Sequence, residues 1–115
     1  MTYENLDFWK RSVELSARLF RETSTIQDFG FRDQLTRSAL SIPSNIAEGY
    51  ERDTDSQIVN FLRIAKGSAG ELRTQILIGI KASYLNEAQA IGWEDEVRQI
   101  GAILGSLIKR HQSKT

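Results

Sequence analysis

Apolar and small residues at Ile58, Leu62, Ala65, Ala69, Leu72, Ile76, Gly79 and Ser83 recur at intervals of three and four. That is the period of one helix face and not of a strand. Thr54 and Gln57 form a capping box at the start of the run, and no proline interrupts it. The pattern predicts a helix over 55–84, roughly 40 Å long. Its opposite side carries Arg63, Lys66, Arg73 and Lys81 against a single acid, Glu71.

Three further segments have the same period. Over 6–22, Asp7, Lys10, Arg11, Glu14, Arg18, Arg21 and Glu22 share one third of the helix circumference. The apolar arc that remains is nearly twice the stripe of ~100° that a surface helix needs. Part of it is expected to face the core. Phe8, Trp9, Leu15 and Leu19 are expected at a contact with another subunit, unless the helix lies between two others of its own bundle. Over 29–51, Phe31, Leu35, Ala39, Ile42, Ile46 and Tyr50 form one row, with Asp28 as N-cap. Pro43 inside that row removes the N–H that would bond the Ala39 carbonyl, so a kink is expected there. Ser38, Ser41, Ser44 and Asn45 are the side chains available to satisfy the freed carbonyl. Over 87–111, Trp93, Val97, Ile100, Leu104 and Leu107 repeat the interval behind an Asn86 cap. Four such helices joined by short loops predict an all-α fold: an antiparallel up-down-up-down four-helix bundle, kinked at Pro43 and forming a single domain over 1–115.

Composition narrows the function. A chain of 115 residues with 40% apolar content holds one real core. Fifteen charges of each sign exclude a strongly basic nucleic-acid binder by bulk charge. The absence of cysteine rules out a disulfide framework and a thiolate nucleophile. With no apolar leader and no run of ~18 apolar residues, the expectation is a cytoplasmic protein without a membrane partner.

Candidate chemistry is sparse. No nucleophile elbow, Walker loop or dinucleotide fingerprint occurs, and neither an enzyme nor a cofactor is expected. His111 has no second ligand at helical spacing and reads as a solvated residue complementing the helix dipole. Glu48, Glu51, Asp53 and Asp55 cluster at the turn between helices two and three and read as a solvated, capping-rich turn rather than a metal site. Gly67 and Gly70 each cost a mid-helix position about 1 kcal/mol against alanine. Close approach of another backbone, in this chain or in a partner, would offset that cost.

Two segments carry a family resemblance: Arg37-Ser-Ala-Leu-Ser-Ile-Pro-Ser-Asn-Ile-Ala-Glu-Gly49 and Phe61-Leu-Arg-Ile-Ala-Lys-Gly-Ser-Ala-Gly-Glu-Leu72. They resemble the small four-helix-bundle proteins encoded in intervening sequences of bacterial 23S rRNA genes. They are similar also to the accessory proteins of diversity-generating retroelements. The resemblance implies a bundle that assembles as a homopentamer around a central pore. Its retroelement branch implies binding of nucleic acid and a reverse transcriptase. That branch is markedly basic, and this chain departs from it with a net charge of zero.

Taken together, the leading expectation is a non-enzymatic oligomer that binds RNA or an RNA–protein partner. The residues expected to carry binding are Arg63, Lys66, Arg73 and Lys81, with Arg37 assisting, and Gly67 and Gly70 are expected at the subunit contact. The alternative is a protein-interaction scaffold that does not bind nucleic acid, with these charges solvated or paired to a neighbour's acids.

Overall fold

Three helices begin where a short polar side chain takes a free amide of the first turn. Asp28 accepts from the Phe31 N–H at 3.0 Å, Thr54 from Gln57 at 3.2 Å and Asn86 from Gln89 at 3.0 Å. The computed structural model describes residues 3–114, in which a single 3-10 turn, Tyr3–Asn5, precedes four helices. They are α1 (Asp7–Glu22), α2 (Phe29–Tyr50), α3 (Asp55–Lys81) and α4 (Glu87–Gln112). Among the described residues there is no strand. Met1, Thr2 and Thr115, the ends of the expected domain, lie outside those residues.

The helices form an up-down-up-down bundle in which α1 packs on α2 and α4, and α3 packs on α2 and α4. Its long dimension is 46 Å, close to the roughly 40 Å span of α3. The core is one cluster to which every helix contributes. Leu19, Leu35, Ile46, Leu62, Leu72, Ile76, Ile100 and Leu104 are fully buried in it. In α4 the inward residue of the last turns is Ile108, with Leu107 only half-buried.

α3 stops at Lys81, three residues short of the expected end. Ser83 turns into the left-handed region at φ 62°. Its N–H then bonds the Ile80 carbonyl at 3.1 Å, while the Tyr84 N–H reaches back to Gly79 at 2.8 Å. This pair of bonds is the Schellman arrangement, which satisfies the last carbonyls and ends the helix. Leu85 then folds back over Gly79. A Cβ there would sit 2.6 Å from Leu85 Cδ1 and 2.7 Å from Phe31 Cζ, so the close approach requires glycine.

α2 runs as one helix through Pro43. None of the described side-chain hydrogen bonds goes to the Ala39 carbonyl, which corrects the expected role of the serines. Ser38 and Ser41 work between helices instead, and Asn45 bonds Ser41 within α2. Ser41 and Ser68 share a 2.7 Å hydroxyl contact, Ser38 donates to Glu71 at 3.2 Å, and Asn45 donates to Ser41. The serine-rich segment is a polar seam between α2 and α3.

Candidate nucleic-acid interface

Because α3 is uninterrupted, residues three, four and seven apart share an edge. Arg63, Lys66, Arg73 and Lys81 are all exposed. Lys66, Gly70 and Arg73 of α3 face Val97, Arg98 and Gly101 of α4 across a shallow groove of about 180 Å³. Its floor is small by sequence: Ala69 lies under it, and the Lys66 stem passes 3.6 Å from where a Cβ on Gly105 would be.

The cations are not equally free. Arg73 bonds Glu94 at 2.5 Å, and Arg98, absent from the residues expected to bind, bonds Asp95 at 2.6 Å. Arg63, Lys66 and Lys81 make none of the described ion pairs. Arg37 bonds Asp33 at 2.9 Å on α2 and is not among the groove-lining residues, so it is not brought to the helix-three edge. Arg98 is not legible as a groove residue because nothing in one sequence tells which side of α4 meets α3.

The residues expected at a subunit contact separate into two groups. Phe8, Leu15 and Leu19 are buried in the subunit's own core, which corrects their assignment to an interface. The physical reason is that α1 rests on both α2 and α4 and needs two inward stripes. The excess apolar surface lies elsewhere on the same helix: Val13 is 37% exposed and Phe20 48%, beside Leu40 at 50% on α2. With the half-buried Trp9 and with Pro43 and Ala47, they line an apolar groove of about 440 Å³. Gly67 and Gly70 are exposed, and a Cβ on either would meet nothing within 4 Å. Approach of another helix within the chain is thus not what these glycines serve.

His111 departs furthest from its expected solvated role. It is buried, 8% exposed, and both ring nitrogens are engaged. Nδ1 lies 2.7 Å from Asp55 Oδ1 and Nε2 3.1 Å from the Tyr50 hydroxyl. Burial pushes the Tyr50 phenol up from its ordinary pKa, against a smaller opposing effect of Arg110. The phenol therefore stays protonated; Nδ1–H donates to the Asp55 carboxylate, and the Tyr50 hydroxyl and Nε2 share the second hydrogen bond. This clasp ties the ends of α2 and α4 to the start of α3. Its signal in the sequence is register: His111 falls seven residues beyond Leu104, on the inward face. Asp55 is thereby taken from the acidic turn, and Glu48 pairs with Arg52. Among the described residues no group of acids and histidines is arranged to hold a metal.

A second tie joins α1 to α4. Arg11 donates from Nε and Nη2 to the two Glu96 oxygens at 2.9 and 2.7 Å, and to Gln99 at 2.8 Å. The Arg11 hydrogen bonds hold the Glu96 carboxyl below its usual range, outweighing burial. A depressed folded pKa adds stability above the unfolded value of about 4.3, and that stability is lost as pH falls through the lower folded value. The pair is about one third exposed, so its contribution is about 1 kcal/mol or less. In denaturant unfolding measured from pH 7 down to pH 3, Glu96→Gln should lose that increment at pH 7 and differ little from wild type at the acid end.

The four-helix bundle, with exposed cations along α3, defines a class: a small all-α protein. No helix of the described residues is long and apolar enough to cross a membrane. The chain belongs to the 23S rRNA-intervening sequence protein family, which it matches over residues 4–106. It is also similar to a solved structure from Bacteroides thetaiotaomicron VPI-5482, described as a protein with unknown function from the S23 ribosomal protein family. The two share 24% identity with a TM-score of 0.84, over 89% of this chain and 98% of the other, a likeness of fold. Comparison with curated proteins finds no match.

Proposed function

We propose that this chain is a non-enzymatic cytoplasmic protein whose copies form a ring and bind RNA, or an RNA–protein partner, through the basic edge of α3. The observation that carries the reading is the set Arg63, Lys66 and Lys81, exposed on α3 and free of the described ion pairs, with Lys66 lining a groove floored by Ala69, Gly70 and Gly101. One copy offers a modest positive potential; a ring repeats it, and summed potentials attract phosphate where one subunit would not.

Two surfaces support assembly. The α1–α2 groove exposes Val13, Phe20 and Leu40. On α3, exposed Ile64 lies one turn before Gly67, where a Cβ would meet nothing within 4 Å, and exposed Ile78 lies three turns beyond it on the same side. The occupant of the groove is a second copy: large side chains on one surface match missing side chains on the other. Two different surfaces meeting head to tail close into a ring when the rotation allows. Five copies is the number the family resemblance implies.

A protein scaffold that does not touch nucleic acid is the second reading. It is favoured by Glu94 and Asp95, which neutralise Arg73 and Arg98 beside the groove. Salt separates the two. RNA affinity, measured by fluorescence anisotropy at several salt concentrations, should fall linearly on a log–log plot because binding of phosphates releases counterions. Absence of RNA binding at every salt concentration, with docking of a protein partner that barely changes with salt, would support the scaffold.

A further inference from the structure

The pocket where the basic edge meets the His111 clasp has about 300 Å³ of volume and is lined by Asp55, Ser56, Val59, Asn60, Arg63 and His111, among others. It holds two opposite charges that do not pair with each other. Asp55 is fixed by His111, with Oδ1 at 2.7 Å from Nδ1. Arg63 lies two helical turns away along α3, a rise of roughly 12 Å, and makes none of the described ion pairs or hydrogen bonds. Asn60 and Ser56 add exposed polar groups along one wall, and Val59 adds an apolar one.

This arrangement selects by chemistry. A bare phosphate would meet the Asp55 carboxylate, which repels it. A flat ligand with acceptors on one edge and donors on another satisfies both ends. Guanine has that pattern: O6 and N7 accept a guanidinium bidentately, and N1–H and the N2 amine donate to a carboxylate. Unpaired adenine and cytosine each carry one amine and uracil one ring N–H, so none of the three gives the carboxylate two adjacent donors while an acceptor pair meets the arginine. A pocket of this size suits one base, and RNA is read at unstacked bases that can be splayed outward. From this, and resting on the RNA reading above, we infer that the pocket takes one unpaired guanine of a bound RNA, with Arg63 serving both the basic edge and the pocket.

The test titrates the full chain with the four nucleoside monophosphates, and with short RNAs in which one unpaired guanine is or is not replaced by adenine. GMP should bind at least about fivefold tighter than AMP, the lower end of discrimination by a good bidentate pair, and the guanine-containing RNA should show the same preference. Asp55→Asn should erase the preference. Because that change also loosens the His111 clasp, Asn60→Leu at an exposed position supplies an independent variant that fills the pocket. It should erase the guanine preference while salt-dependent binding of guanine-free RNA persists. Equal binding of all four nucleotides, a preference that survives in both variants, or capture of free amino acids in place of GMP would overturn the inference. Any of these outcomes with salt-dependent RNA binding retained removes the guanine pocket alone; absence of RNA binding at every salt concentration removes the RNA reading with it.

Discussion

Reversing the three unpaired cations together, Arg63→Glu, Lys66→Glu and Lys81→Glu, is expected to lower RNA affinity by about a hundredfold or more at low salt. Each phosphate that the edge no longer neutralises removes about one unit from the log–log salt slope, and each introduced carboxylate adds repulsion. All three residues are exposed and make none of the described ion pairs, so the fold should tolerate the change. Arg73 is left intact because its reversal would set a new acid against Glu94 and confuse stability with binding. Reversing Lys10 and Arg21, exposed on α1, serves as the charge control and should leave affinity within about threefold, since it alters bulk charge without touching the edge. Unchanged affinity in the triple variant would show that the α3 edge does not carry binding. An equal loss in the control would show that only net charge matters.

The second large effect falls on stability. His111→Ala is expected to cost about 2–3 kcal/mol in guanidinium unfolding, with an unchanged slope and a lower midpoint. The loss comes from two sources. Two hydrogen bonds disappear, and the Tyr50 hydroxyl and Asp55 carboxylate are left beside a void at the junction of α2, α3 and α4. A cost below about 0.5 kcal/mol, the ordinary value for a surface site, would mean that His111 is the solvated residue its position near the C-terminus suggests.

The contrast between those two sites explains what can be read from the chain alone. Helix periodicity and caps such as Asp28, Thr54 and Asn86 are local properties, and they suffice to place all four helices. Which apolar residues of α1 turn inward depends on how many neighbours the helix has. A sequence does not state that number, and so Phe8, Leu15 and Leu19 are expected outward while Val13 and Phe20 hold the exposed positions. The cations of α3 are legible as an edge because they share one helix. Their freedom is not legible, since Glu94 and Asp95 belong to another helix whose rotation the sequence leaves open. The His111 clasp escapes notice for the same reason: its partners lie 56 and 61 residues away. Ser83 ends α3 early because a left-handed turn is built there on a residue other than glycine, and serine carries no signal for that conformation.

Everything proposed about RNA depends on copies gathering, because a single chain with fifteen charges of each sign offers too little positive surface. Light scattering on the purified protein, across a wide range of concentration, measures that directly. The account predicts a single species of five times the 13.1 kDa chain mass, which Gly67→Leu breaks to smaller species by occupying the open position on α3. A mass of 13.1 kDa at every concentration, with Val13, Phe20 and Leu40 left in water, would contradict it.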